Sequence, residues 1–346
     1  MFKEALFGKT LEELQNICQA MGLPKFAARQ ITDWLYKKPV FSINEMSNLS
    51  KKARELLNKN YCFGTTEAVE VKESKDGTKK YLFPVLKGKY FIETAMIPEK
   101  NRNTVCISSQ AGCKMNCLFC MTGKQGFQGN LTAGEILNQL RSIPEWEKIS
   151  NIVYMGMGEP MDNLTEVSKS INILTSEWGF AMSPHRITVS SSGVLPPLIH
   201  FLDESLASLA ISLHSPFSDE RAGLMPIEKT YPIAKVIEEI KKRDFHGQRR
   251  VSFEYIVFHN INDSPKHVKG IALLLKGLKC RINLIRFHTI PGTKLNGTDE
   301  KALQTFKDQL NETGVFTTIR ASRGEDIEAA CGLLSTIKEN KDKISK

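Results

Sequence analysis

The chain has 346 residues, 41% of them hydrophobic, with eight cysteines and a formal net charge of +9 at a sequence pI near 9.0. That length fits one large domain, or a large domain with a small one. Its apolar runs are too short and too often broken by charge to span a bilayer, and the N-terminus lacks the apolar core of a secretion signal. A cytosolic chain of this kind keeps its cysteines as thiols or metal ligands. The excess of Lys and Arg favours a polyanionic partner such as RNA, although most individual charge runs are solvated faces.

Residues 1–62 read as a small helical domain, suited to recognition or to capping the rest. Leu11, Leu14, Ile17, Cys18 and Met21 recur at helical spacing and stop at Gly22, Phe26 to Leu35 continue the pattern, and Leu49 to Leu57 give a third helix. Residues 63–98 change character: Glu67–Val71, Lys79–Val85 and Tyr90–Ile97 are strand-like, and Ser74-Lys-Asp-Gly-Thr78 is a hairpin signal, so this stretch reads as a β-hairpin connector. From residue 99 to about 340 strand and helix alternate. Strands are expected at 104–110, 151–157, 185–191, 208–214, 250–258 and 280–287, helices near 132–143, 164–176, 196–204, 233–243, 264–277 and 300–313, and a last strand at 315–320. Such alternation builds parallel strands with right-handed helical crossovers. Six units predict an α/β fold, an open (β/α)6 partial barrel of TIM type, with functional residues at the carboxyl ends of the strands.

The most informative segment is Cys113-Lys-Met-Asn-Cys117-Leu-Phe-Cys120, between the first of these strands and the helix that follows. A closed zinc site needs four ligands. The nearest further thiol is Cys106, in the apolar run Val105-Cys106-Ile107, which reads as a buried strand rather than a zinc knuckle. Three thiolates on one short loop can instead hold three irons of a [4Fe-4S] cluster and leave the fourth open to a chelating small molecule. This spacing resembles that of the radical S-adenosylmethionine (SAM) superfamily, in which the methionyl group binds the open iron and Phe119 occupies the position of an aromatic beside the adenine.

Met155-Gly156-Met157-Gly158-Glu159-Pro160 ends the second strand without the spacing of a dinucleotide fingerprint. Its glycines permit close backbone approach to a ligand, and Glu159 offers a carboxylate to an ammonium. Ser190 to Gly193 and Ser212-Leu213-His214-Ser215 end the next strands, as strand-end turns or as polar contacts for SAM. Cys18, Cys62 and Cys280 are expected as small core hydrophobes.

With these segments assembled, the chain resembles the RlmN/Cfr family of radical SAM RNA methyltransferases over almost its whole length. The resemblance is carried by Cys106-Ile-Ser-Ser-Gln-Ala-Gly-Cys113, Thr122 to Phe127, Gly156 to Pro160, Ser212 to Ser215, Leu224-Met-Pro226, Asn283-Leu-Ile285 and Ile327 to Gly332. It implies Cys331 as a methyl carrier that takes a methyl group from one SAM, while a second SAM on the cluster yields the radical that activates the S-methyl group for addition to adenine. It further implies that Cys106 releases the resulting protein–RNA adduct by forming a disulfide with Cys331, and that Glu93 accepts the ring proton. SAM contacts carry over to Gly158, Glu159, Ser190, Ser212, Leu213 and His214, and one cluster to Cys113, Cys117 and Cys120. The sequence departs from the family pattern at His288, where Asn is usual, at Met121 and at Ser190.

The implied substrates are 23S rRNA and the tRNA adenosine 3′ of the anticodon, methylated at C2, with a Cfr-like C8 outcome as the alternative. A monomer in the cytoplasm, served by an external electron donor such as flavodoxin or ferredoxin and without a membrane partner, completes the expectation. A non-catalytic iron–sulfur RNA-binding or assembly factor would need the cluster but not Cys106, Cys331 or Glu93.

Overall fold

The computed structural model describes residues 3–243, 245 and 249–336. The Lys-rich C-terminus and the last residues assigned above to the large domain, 337–340, lie outside the described residues.

The chain begins with a two-residue strand, β1 (Glu4–Ala5), and three helices, α1 (Leu11–Ala20), α2 (Lys25–Tyr36) and α3 (Lys51–Asn60). Helix α1 is set by a capping box, in which the Thr10 hydroxyl accepts from the Glu13 amide and the Glu13 carboxylate accepts from the Thr10 amide. Strand β2 (Tyr61–Cys62) returns beside β1 in parallel. Because side chains alternate across a strand, Tyr61 packs on the core and Cys62 faces out. Cys62 is therefore exposed and not the core residue expected, whereas Cys18 is buried and Cys280 half-buried.

Next come β3 (Glu70–Glu73), β4 (Lys79–Val85) and β5 (Tyr90–Glu99), an antiparallel meander whose first turn carries Asp76 and Gly77. The meander is hydrogen-bonded onto β6 (Arg102–Cys106), pairing Ala95 with Cys106, so it extends the main sheet. Beyond β6 lie a short ribbon of β7 (Gln110–Ala111) and β8 (Gly129–Asn130) flanking α4 (Met121–Gln125), and then α5 (Ala133–Arg141). From there strands β9 (Asn151–Tyr154), β10 (Ile187–Ser191), β11 (Ser208–Ser212), β12 (Val251–Val257), β13 (Arg281–Arg286) and β14 (Thr317–Ile319) are joined by α6 (Leu164–Thr175), α7 (Leu195–Glu204), α8 (Ser218–Leu224) with α9 (Ile233–Lys241), α10 (Pro265–Leu274) and α11 (Glu300–Glu312).

The order in the ten-stranded sheet is β14-β13-β12-β11-β10-β9-β6-β5-β4-β3, parallel from β14 to β6. Alternate residues of strands from both ends of the parallel stretch line one cavity of about 430 Å³, including Thr104 and Cys106, Val153 and Met155, Ser252 and Glu254, Asn283 and Ile285, and Thr318 and Arg320. One face of a sheet can enclose a common cavity only if the sheet curls. The expected (β/α)6 partial barrel is thus present, with β14 as a seventh parallel strand. The sheet does not close on itself: the gap between β14 and the meander is crossed by residues 324–336, which are not in a strand.

The N-terminal helices share one apolar core with the barrel. At Gly8 and Gly134 two backbones meet so closely that a Cβ on Gly134 would stand 2.7 Å from the Phe7 carbonyl oxygen. Arg141, fully buried on α5, lies against the Phe41 and Trp146 rings and donates to the carbonyls of Lys38 and Val40.

Candidate active site

Cys113, Cys117 and Cys120 lie on the loop from β7 into α4, at the carboxyl end of the barrel. The loop is shaped by close packing. Gly112 has φ +71°, and a Cβ there would overlap the Gly126 carbonyl oxygen, while the Gly126 carbonyl accepts from the Cys113 amide at 3.2 Å. Asn116 also takes a left-handed φ of 50°, a conformation Asn tolerates better than most residues. The Met115 amide donates to Cys113 Sγ at 3.5 Å. Burial pushes the Cys113 thiol up to about 12 and Cys117 well above its ordinary value, and each is raised further by the charges of the neighbouring ligand cysteines. Three thiols on one short loop, with Cys113 and Cys117 raised by burial, are a donor set that fits a cationic iron–sulfur group, since metal ligation deprotonates a thiol outright. No group of His, Cys, Asp or Glu among the described residues converges tightly enough for a single metal ion.

The strand ends beside this loop are tied together by Arg221, which no sequence motif marks. Fully buried, it donates to the carbonyls of Leu213 (3.0 Å), Ser192 (2.8 Å) and Ser212 (2.8 Å), and pairs with buried Glu228. In sequence it is one charge among Asp219, Glu220 and Arg221 on a short helix, indistinguishable from a solvated face; burial appears only when α8 folds back over β10 and β11. Glu159 is also buried, and its carboxylate accepts from the amides of Met161 (3.1 Å) and Ser192 (2.8 Å). Burial raises its pKa and those hydrogen bonds work the other way. The glycines of this segment serve packing: a Cβ on Gly156 would meet the Ile107 carbonyl oxygen at 2.7 Å, and one on Gly158, at φ +101°, would meet Gln110 at 2.6 Å.

His214, at φ 54° and buried, accepts from the Ile256 amide through Nδ1 at 2.9 Å. Its pKa falls to about 3, through burial and then the charge of Arg221, so the ring is neutral and its Nε2–H is left as a donor. The Phe119 ring meets it edge-on with centroids 4.6 Å apart, and Phe119 packs with Met225, Ile256 and Phe258. Strand alternation turns Ser190 and Ser212 to the cavity face, in step with Thr188 and Ser208. Leu213 is buried, with its amide bonded to the Glu254 carbonyl. His288 lines the cavity and meets Ser322 Oγ at 3.0 Å. A neutral imidazole donor, two hydroxyls and a fixed carboxylate around the cysteine loop fit a zwitterionic ligand with a ribose.

The remaining predicted residues converge on one corner, where β5, β6 and residues 324–336 meet. Cys106 ends β6, packs against Ala95 and Ala329, and lines the cavity with Cys331. Its thiol is pushed up to about 12, first by burial and then by facing Cys331, with Arg320 acting the other way. Arg320, likewise unmarked in the sequence, has its pKa raised chiefly because it faces Cys331, and it stands 3.3 Å from Met155 Sδ and 3.8 Å from Glu254. Glu93, two residues from Ala95 on the same face of β5, forms a buried ion pair with Lys80 at 2.8 Å and accepts from the Ser335 amide at 2.8 Å. The residue after Cys331 reaches the cluster loop directly, since the Gly332 carbonyl accepts from the Met121 amide at 2.8 Å. Residues 324–336 are held to the meander by Asp76, which accepts from the Gly324 amide (3.0 Å), and by Asp326, which accepts from Ser74 Oγ (2.5 Å).

Comparison with known proteins gives the class and then the family. The Radical SAM superfamily profile matches residues 107–269, and that of the ribosomal RNA large subunit methyltransferase N-terminal domain matches residues 5–63. The crystal structure of a radical SAM methyltransferase from Sphaerobacter thermophilus superposes with a TM-score of 0.89 at 36% identity, covering 96% of this chain and 99% of the other. A Bacteroides thetaiotaomicron protein named "Probable dual-specificity RNA methyltransferase RlmN" is 55% identical over 345 residues, the full length of both chains. A Syntrophus aciditrophicus protein named "Dual-specificity RNA methyltransferase RlmN" is 41% identical over 330 residues, 94% of each chain. The chain belongs to the RlmN family of radical SAM RNA methyltransferases.

Proposed function

We propose that this radical SAM RNA methyltransferase methylates C2 of an adenosine in the peptidyl-transferase centre of 23S rRNA and C2 of the adenosine 3′ of the tRNA anticodon, with Cys331 as the methyl carrier. The observation that carries the reading is the convergence of Cys106, Cys331 and Glu93, from three separate elements, beside the cluster-loop cysteines. The named specificity of relatives 41% to 56% identical favours it over C8 methylation. A non-catalytic iron–sulfur factor would have no use for two facing thiols, Cys106 buried and Cys331 half-buried, beside a guanidinium.

The reaction needs this apparatus because C2 of adenine lies between two ring nitrogens and has no lone pair with which to attack a sulfonium. Cys113, Cys117 and Cys120 would hold one [4Fe-4S] cluster, which would supply the reducing electron for SAM cleavage, and two SAM molecules would be used per turnover. Cys331, which Arg320 faces, attacks the first SAM, and its new S–CH3 bond forms as the sulfonium C–S bond breaks. Glu93, ion-paired with Lys80, is the base that takes the C2 proton of the adduct. Cys106 then attacks the Cys331 sulfur, and the disulfide forms as the carbon–sulfur bond breaks with its electron pair passing to the product carbon, which takes a proton to become the methyl group; an external donor such as flavodoxin or ferredoxin reduces the disulfide. Ser190, Ser212, Leu213 and His214 would hold SAM at the strand ends, with Gly158 and Glu159 toward its methionyl group and Phe119 toward its adenine, and His288, on the cavity wall, would contact it or the substrate. The protein acts as a cytoplasmic monomer.

The test is anaerobic incubation of reconstituted protein with SAM, a reductant and unmodified 23S rRNA fragment or tRNA, followed by nucleoside mass spectrometry. 2-Methyladenosine in both RNAs is expected. 8-Methyladenosine, or no methylated adenosine, would overturn the assignment.

A further inference from the structure

The cavity that holds Cys106 and Cys331 at the carboxyl ends of the strands runs on to their amino ends, and its far end is basic. In a parallel barrel the first residues of all strands lie at one end. Arg102 opens β6, Arg186 directly precedes β10, Arg250 directly precedes β12 and Arg281 opens β13; all four, with His185, line the same cavity as the two cysteines. Arg102 is paired with Glu99 at 2.6 Å. The side chains of Arg186, Arg250 and Arg281 make no hydrogen bond or ion pair with any described residue.

Among the described residues, two other approaches to the cavity carry packed chain. The cluster loop, Phe119 and Met225 pack over the carboxyl end, and residues 324–336 cross the gap in the sheet, fastened at Asp76, Asp326 and Glu93. Between the basic mouth and the cysteines the wall is polar, with Thr188, Ser208, Ser252, Asn283 and Thr318, and carries one carboxylate, Glu254, which accepts from the Asn283 side chain. Four strand steps, about 13 Å, separate the level of Arg102 from that of Cys106. The volume of about 430 Å³ falls within the ~300–1,000 Å³ typical of small-molecule sites.

We propose that the amino-terminal mouth of the barrel is the port for the target nucleotide, with Arg186, Arg250 and Arg281 holding the phosphates on either side of it. The inference rests on RNA as the substrate and deepens it by assigning the approach. A base flipped out of its strand enters along the polar wall toward Cys331, and its backbone stays outside because the phosphates are neutralised at the rim. These arginines are positioning residues: they act on RNA binding and register and leave the steps at Cys331 unchanged.

The experiment compares wild type with a triple variant, Arg186→Gln, Arg250→Gln and Arg281→Gln, with the corresponding triple Lys variant, and with Lys301→Gln on α11 as a charge control. RNA affinity is measured with an unmodified anticodon stem-loop over a range of salt, and methylation of Cys331 by peptide mass spectrometry. The Gln triple is expected to bind RNA roughly tenfold or more weakly, and to lose about 2 from the slope of log K against log salt, since each phosphate contact on a single strand contributes about 0.7. Its S-methylation of Cys331, its folding and its kcat at saturating RNA should match wild type, with KM raised. The Lys triple should keep most of the slope, and Lys301→Gln should behave as wild type. Unchanged affinity and slope in the Gln triple, or an equal loss in Lys301→Gln, would overturn the port. If the triple variant is poorly folded, Arg186→Gln alone, at an exposed position, decides by the same readouts with about one third of the slope change. Arginine-dependent binding with no methylation by wild type would uphold the port and defeat the activity.

Discussion

Cys106 fills a buried position and faces a second thiol, and these two roles give its removal different consequences. As packing alone, Cys106→Ala deletes one small apolar group at a cost of about 1–2 kcal/mol and leaves turnover intact. As the resolving thiol, its loss traps the carbon–sulfur adduct. The expected outcome is a nuclease-sensitive protein–RNA crosslink through Cys331 on denaturing gels, absent from the Cys106/Cys331 double variant; multiple turnover without a crosslink would return Cys106 to packing. His214 offers a test by pH. Its folded pKa of about 3 lies below an unfolded value of about 6.5. As pH falls below 6.5 the unfolded chain gains a proton that the folded chain refuses, so stability drops between pH 6.5 and 3, by up to ~1.4 kcal/mol per unit. His214→Gln should flatten that limb in urea denaturation of the apo-protein, and parallel curves would show that the ring titrates freely.

At the scale of elements, the crossing segment 324–336 carries Cys331 without a strand or helix of useful length to hold it. Its attachment to the β3–β4 turn depends on Asp76 and Asp326, both held below the usual carboxylate range by their hydrogen bonds. Asp76→Ala with Asp326→Ala should speed amide exchange in residues 324–336 roughly tenfold or more and slow single-turnover methylation, while iron content stays at the wild-type level. Exchange confined to its wild-type rate would mean that Glu93 and the cluster loop suffice to hold the segment. The hairpin between β3 and β4 was legible from Ser74 to Thr78, because turn chemistry is local. Its use as a clasp was not, because its partners lie some 250 residues further on.

At the scale of the molecule, the helical N-terminal part and the barrel behave as one packed body. Gly134→Ala would press a methyl group against the Phe7 carbonyl and is expected to cost about 1–3 kcal/mol by overpacking, lowering the midpoint of a single unfolding transition. Two separate transitions, one unaffected, would show that the N-terminal helices fold independently.

What the sequence determined by itself is what short-range chemistry encodes. The three-cysteine spacing, the capped helices, the alternation of strand and helix and the glycines near strand ends each lie within one local segment, and they suffice for the partial barrel and the cluster loop. Tertiary structure alone decided which charges are buried and where they face. Arg221 looks like an ordinary surface charge until strands far apart in sequence enclose it, Arg320 looks like another until the fold turns it toward Cys331, and Arg186, Arg250 and Arg281 come to one mouth only because parallel strands begin at one end. The pairing of Cys106 with Cys331 likewise required a sheet left open between β14 and the meander, with the chain's last described segment crossing the gap.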